Sequence, residues 1–254
     1  MHRGAAPPTR RGLVVSDLHL FARRSVGDAC FQSLRAELAS VDLLVLNGDI
    51  FDFRWSTLRG HHATVQAAVM WLRQLAAELP RCEIHYVLGN HDCLELFQER
   101  LPHWCAGESR LHWHEHQLRL GSALFLHGDC SVGHYDLAAL RSYRSPWEHD
   151  SQRSPFAAHA YRLADRLGMT ALVHRWHFPR EQTVARVVYH LDQTQAGWKK
   201  EIRDCYFGHT HLPFAHHPHA GVNFHNTGSA IRGMKFNPIR FAVPPGNTAF
   251  CATL

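Results

Sequence analysis

The chain has no apolar run near the roughly 18 residues that a membrane span requires, and no apolar stretch behind its first arginines long enough for a signal peptide. The expectation is a soluble protein, cytoplasmic or peripheral to the inner face of a membrane. Paired cysteines are missing too. Seven are scattered from Cys30 to Cys251, an odd number with no C-x-x-C pair and no compact disulfide spacing, so a reducing compartment is the simplest setting. There is no long basic run. Apart from Lys199–Lys200 the basic residues are dispersed, which speaks against a nucleic-acid partner. A formal charge of +5 still favours anionic partners, such as phosphorylated small molecules or acidic lipid surfaces. No internal repeat, low-complexity segment or signature of oligomeric state is present.

The 254 residues, 45% of them apolar and 19% charged, suit one domain with a substantial core. Residues 1–11 read as a flexible tail and 12–254 as the domain. The 23 histidines outnumber the 22 carboxylates. Those at His61, His62, His112, His114, His116, His216, His217 and His219 lie in irregular clusters and gain no ligand role from number alone.

A repeated local pattern carries more information. Gly12 to Ser16 reads as a short buried strand, apolar and β-branched, ending at Asp17-Leu18-His19. Asp42-LLVLN then runs into Gly48-Asp49, Glu83-IHYVL into Gly89-Asn90-His91-Asp92, Ser122-ALFL into His127-Gly128-Asp129, and Asp204-CYF into Gly208-His209-Thr210-His211. Five apolar strands thus end in metal-capable residues. Helical periodicity at Phe31 to Leu38 and Thr64 to Leu79 lies between the early strands, and Pro80 closes the second helix. Alternation of this kind implies βαβ units with ligand chemistry at the carboxyl ends of the strands. Residues 132–203 form a long insertion of helical pattern, with two stretches at 156–176 and 183–198, and suit a cap or lid. Strand pattern returns at Gly221 to Ser229 and Arg240 to Val243.

Asp17, His19, Asp49, Asn90, His127, His209 and His211 supply seven oxygen or nitrogen donors and no thiolate. That mixture suits manganese, iron, zinc, cobalt or magnesium rather than a structural zinc site. On an extended strand, D-x-H and H-x-H spacing would point both side chains to one side. The competing reading makes each of these residues a cap or turn at a strand end. Five matches in order weigh against it.

D-L-H, G-D-x-x-D, G-N-H-D, H-G-D and G-H-T-H, in this order from Leu13 to Ser229, resemble the calcineurin-like metallophosphoesterases. The resemblance implies a four-layer α/β/β/α sandwich of two mixed sheets flanked by helices. It implies two divalent ions, manganese the first choice, with Asp17, His19 and His211 on one, Asn90, His127 and His209 on the other, and Asp49 bridging. A metal-bound hydroxide would then hydrolyse a phosphate ester or pyrophosphate bond. His91 would donate a proton to the leaving oxygen or stabilise the transition state, and Asp52 would hold His91, unless it merely caps its turn. Asp92 and Asp129 read as orienting or turn residues. Asn226-Thr227-Gly228-Ser229 resembles a segment that many members place near the site, and an ordinary turn is the alternative.

Phe51, Phe53 and Trp55 after Asp49, with the helical insertion, look most like the UDP-2,3-diacylglucosamine hydrolase branch. That likeness implies a nucleotide-lipid pyrophosphate substrate and peripheral membrane contact, with Arg141, Arg144, Arg153 and Arg162 meeting phosphates and apolar faces of the insertion enclosing acyl chains. Alternatively, the insertion is a packed cap with solvated arginines. One departure counts against the branch: His91 stands where those enzymes usually carry arginine. Phosphodiesters and phosphomonoesters of other small metabolites fit histidine equally. A non-catalytic metal-binding scaffold is the alternative from another class.

Overall fold

A computed structural model describes residues 9–153 and 174–244. Within them, β10 (Ile239–Val243), β1 (Arg10–Val15), β2 (Leu43–Asn47), β3 (Glu83–Val87) and β4 (Leu111–His114) form one sheet in that order. The second sheet runs β5 (Gln117–Leu120), β6 (Ala123–Leu126), β7 (Asp204–Phe207), β9 (Val222–Asn226) and β8 (Phe214–His219). Both sheets are mixed. β1–β10, β5–β6 and β8–β9 are antiparallel pairs, and the others are parallel.

The period of two in the strands sets the layers. In β2, Leu43 and Val45 face the second sheet, where they join Val14, Val87, Leu118, Phe125 and Tyr206. Leu44 and Leu46 face the other way, into a cluster with Val65, Ala68, Leu72, Leu75 and Ala76 of helix Gly60–Glu78. In β6, Ala123 and Phe125 face the same central layer. Its Leu124 and Leu126 pack with Val184, Val187, Val188 and Leu191 of helix Arg180–Thr194. The order is therefore helix, sheet, sheet, helix, as expected.

Some boundaries differ from the sequence reading. β1 already includes Arg10 and Arg11, placed by pattern in the tail, because antiparallel β10 pairs with them at Val243 and Ala242. The helical pattern at 31–38 splits into Gly27–Gln32 and Arg35–Leu38, two short helices with only Phe31 and Leu38 as their large buried side chains. Of the insertion, the stretch at 156–176 lies mostly outside the described residues, and that at 183–198 falls on the helix Arg180–Thr194 and the start of Trp198–Glu201. No helix among the described residues is long and apolar enough to cross a membrane.

The parallel pairs bring the carboxyl ends of β1, β2 and β3 together in one sheet, and those of β6 and β7 in the other. Asn47, the last residue of β2, ties these ends across the layer. Its fully buried Nδ2 donates to Leu126 O at 2.9 Å and Tyr206 O at 3.2 Å. Asn47→Ala should lower unfolding free energy by about 1–3 kcal/mol, the usual cost of stranding buried carbonyls. Urea denaturation would show it as a lower midpoint at unchanged slope.

Candidate metal centre

Among the groups of donor atoms that the described residues bring to these strand ends, two are built from the expected donors. In Asp17, His19 and His211, and separately in Asp49, His127 and His209, the donors of each set lie within 4.8 Å of one another. In the first group, His211 Nε2 is 3.1 Å from Asp17 Oδ1 and 3.2 Å from His19 Nε2. In the second, His127 Nε2 is 3.3 Å from Asp49 Oδ2. His209 Nδ1 lies 3.0 Å from Asn90 Oδ1, which adds the amide. The groups meet at Asp49, whose Oδ2 is also 3.9 Å from His19 Nε2.

These contacts are poor ones for a protein alone. Asp17 is 0% and Asp49 1% exposed, and burying two carboxylates together is costly without strong countercharge. Burial, with the nearby Asp49, raises the Asp17 carboxyl above its ordinary value, while burial lowers the His211 and His19 imidazoles. A neutral imidazole offers one lone pair beside its one N–H. Although burial would lower it, Asp49 and Asp17 raise the His127 imidazole to about 10, and His211 Nδ1 is buried without a hydrogen-bond partner among the described residues. Two carboxylates, four imidazoles and an amide oxygen converging in one buried place fit divalent cations.

The backbone reaches this geometry by a route the spacing did not reveal. D-x-H and H-x-H were expected on extended strand, yet β1 stops at Val15 and β7 at Phe207. Asp17, His19, Asp49, His209 and His211 all have positive φ, between 48° and 61°. Left-handed backbone is uncommon for residues with a side chain and is held in place here by its surroundings. The Asp17 carboxylate accepts the His209 amide at 3.0 Å, and Asp49 Oδ1 accepts that of His91 at 2.8 Å. Two glycines permit the approach. A Cβ on Gly208 would collide with Asp17 Oδ2 and Ser16 Oγ, and one on Gly89 with the Asp49 carboxylate and amide.

The N-T-G-S segment packs against the same loops. Asn226 Nδ2 donates to Gly208 O at 2.7 Å and Thr210 Oγ1 at 3.1 Å, and Ser229 Oγ donates to Asp17 O at 3.0 Å. Asp92 accepts from Ile50 N, Tyr86 Oη and Gly89 N at 2.9, 2.6 and 2.6 Å, joining the loops after β2 and β3.

Asp52 is fully buried beside the centre. Its Oδ1 lies 3.1 Å from His91 Nδ1 and its Oδ2 3.4 Å from His19 Nδ1. Arg24, which no motif marked, donates from Nη2 to Asp52 Oδ2 at 3.3 Å. Burial alone would raise the Asp52 carboxyl, but His91, His19 and Arg24 hold it well below the usual carboxylate range. Burial alone would lower the His91 imidazole, but Asp52 and Asp49 outweigh it and raise it. The Trp147 ring packs 4.7 Å from that of His91.

The family model for calcineurin-like phosphoesterases matches residues 11–225. The chain belongs to that family. As a calcineurin-like phosphoesterase it is a metal-dependent hydrolase of phosphoric esters, which implies divalent metal cofactors and a phosphorylated small-molecule substrate. Among solved structures it is similar to the phosphopantetheinyl hydrolase PptH from Mycobacterium tuberculosis at 16% identity, covering 89% of this chain and 91% of that one with a TM-score of 0.42. It is similar to YfcE, a phosphoesterase from E. coli, at 16% identity, 93% and 82% coverage and a TM-score of 0.38. A dimetal phosphatase from Danio rerio matches at 13% identity, 94% coverage of both chains and a TM-score of 0.42. No curated protein matches the sequence.

In this phosphoesterase the aromatics that carried the branch likeness and an arginine expected at the phosphates do other work. Phe51 and Phe53 are 0% and 2% exposed and pack on Phe97 in the core under the first sheet. Arg144 is 3% exposed and pairs through Nε and Nη2 with Asp129 at 2.7 and 3.1 Å, while donating to Glu115 O and Leu88 O. Arg144 therefore has no free donor face for a phosphate. Arg153 lies 3.6 Å from Asp150, Arg141 is exposed, and Arg162 is outside the described residues.

Although burial would raise it, Arg144 lowers the Asp129 carboxyl to about 2. A depressed carboxylate adds stability that is complete above its unfolded pKa, roughly 3.9, and lost as pH falls toward the folded value. Asp129→Asn should cost about 3–5 kcal/mol by leaving a buried guanidinium unpaired. Thermal unfolding followed from pH 6 down to 2 should show a shallower acid loss in the variant than in the parent.

Proposed function

We propose that Asp17, His19 and His211 hold one divalent ion, that Asn90, His127 and His209 hold another, and that Asp49 serves both. The reaction is hydrolysis of a phosphate ester or pyrophosphate bond. Bound metals supply Lewis acidity toward the phosphoryl oxygens and acidify a water to the point of nucleophilicity near neutral pH. Manganese is the first choice, with iron, zinc, cobalt and magnesium compatible with the same donors. The observation that carries this reading is the Asp49 carboxylate, whose Oδ2 lies within 4 Å of an imidazole from each group.

The residues around the centre have distinct tasks. Asp52 holds His91 through Nδ1, which leaves Nε2 for the leaving oxygen. Although burial would lower it, the Asp52 and Asp49 carboxylates raise the His91 imidazole, the direction that favours the protonated form a general acid needs. When the bond from phosphorus to the leaving oxygen breaks, that proton passes to the oxygen and the water oxygen takes its place on phosphorus. Asp52 also faces His19 Nδ1, so one carboxylate orients both a metal-holding ring and the acid.

The substrate is a small phosphorylated metabolite, a phosphomonoester or phosphodiester, which suits His91. A nucleotide-lipid pyrophosphate of the UDP-2,3-diacylglucosamine kind, met at a membrane surface, is the second reading. It draws on Trp176, 80% exposed beside Arg175, an aromatic suited to an acyl chain or lipid interface.

Manganese-loaded protein should turn over p-nitrophenyl phosphate or bis-p-nitrophenyl phosphate. His91→Ala should lower kcat by about 10²- to 10⁴-fold at unchanged metal content. Asp52→Asn should move the alkaline limb of the kcat profile to lower pH, because His91 loses the charge that raises it. No turnover by the parent, or turnover indifferent to His91→Ala, would favour a metal-binding scaffold.

A further inference from the structure

Next to the metal centre, a cleft of ≈ 500 Å³ opens between the start of helix Arg180–Thr194 and the loops after β7 and β9. Thr210 and His211 form part of its wall, so it begins at the proposed centre itself. Three cations, Arg175, Arg180 and Lys235, line it, and among the described residues no carboxylate does. The nearest acid on the helix, Glu181, turns instead toward His217 on β8, 3.4 Å from its Nε2. Between the cations the wall is apolar, with Phe178 and Phe214, and the Arg180 guanidinium sits 5.0 Å from the Phe214 ring centroid.

Two further observations give this cleft a ligand. The helix starts at Pro179 with no side-chain cap, so the positive end of the helix lies in the wall. Thr183, in its first turn, is 1% exposed, lines the cleft, and has an Oγ1 without a hydrogen-bond partner among the described residues. A buried hydroxyl left without a partner costs roughly 1–3 kcal/mol. Three cations beside a site that attracts dications add a repulsion that only bound negative charge offsets. A second anion, attached through a short apolar or planar body to a phosphate at the centre, would meet these groups.

We infer that this cleft is a second anion subsite, and that the preferred substrate is a small phosphate ester carrying another phosphate or a carboxylate. The inference rests on the phosphoesterase reading above. The scissile phosphate lies at the metals, the body of the substrate lies between Phe178 and Phe214, and the remote anion meets Arg180, Lys235 and the Thr183 hydroxyl. A cleft of this size holds a molecule of metabolite dimensions.

Three esters sharing one aromatic body test it: phenyl phosphate, 4-carboxyphenyl phosphate and 1,4-phenylene bisphosphate. With the manganese-loaded full chain, at least one of the two esters that carry a second anion should show a KM about tenfold or more below that of phenyl phosphate. Whichever it is identifies the anion. The ratio should collapse toward one in Arg180→Ala/Lys235→Ala, and fall severalfold in Thr183→Val. Calorimetric titration of the metal-free protein with the same three compounds reads the subsite without turnover, and should show the same order and the same loss. Equal KM and equal binding for all three in the parent, or a preference that survives Arg180→Ala/Lys235→Ala, would overturn the subsite. If no ester is hydrolysed, the phosphoesterase reading fails, and the titration alone decides the subsite.

Discussion

Two buried carboxylates, Asp17 and Asp49, face four inward-turned imidazoles, and much of the structure around them accommodates that fact. A protein interior does not hold such a set for stability alone, because unpaired buried charge is expensive. Divalent cations turn the same arrangement into a favourable one. The donors come from the ends of five strands in two sheets, so assembling them requires the sandwich to close correctly. Asn47, with its amide on carbonyls of β6 and β7, joins the sheets at the level of the donors. The fold and the centre therefore depend on the same few hydrogen bonds.

The strain at the centre has a related origin. Five of the seven expected donors sit on left-handed backbone, a conformation that costs a residue with a side chain of order 1–3 kcal/mol. Amides of neighbouring loops answer it by donating to the very carboxylates that face the metals, as His209 does to Asp17 and His91 to Asp49. The loop after one strand thus fixes the donor of another. Asp52 extends the arrangement outward, since a single buried carboxylate faces both His19 and His91 and is itself held by Arg24. Asp52 thus ties the position of His91 to that of His19 inside the buried interior.

The centre was legible in the sequence because each donor follows directly on a short, β-branched apolar strand, and adjacency in sequence survives folding. The layer order came from the family resemblance, while the continuous apolar runs of β2 and β6 report only strands buried on both faces. Partners distant in sequence were not legible. Arg24 with Asp52 and Arg144 with Asp129 carry no local mark, so arginines that looked ready for phosphate proved to be pinned inside. Phe51 and Phe53, which carried the branch likeness, turn out to be core residues, and an aromatic after a ligand motif reads the same whether it faces substrate or core. β4, β5 and β8 escaped notice as strands: LHWH and QLRL alternate over only four residues, FAHHPH has no clean alternation, and each is an edge strand that pairs on one side only. The expected extended D-x-H failed because spacing says nothing of the sign of φ.

The central claim is that one carboxylate serves two ions, and metal counting tests it most directly. Apo-protein reconstituted with manganese and freed of excess should retain two ions per chain by elemental analysis, while Asp49→Ala should weaken both sites together. A parent that retains none or one, or an Asp49→Ala protein that keeps two ions at parental affinity, would contradict the account.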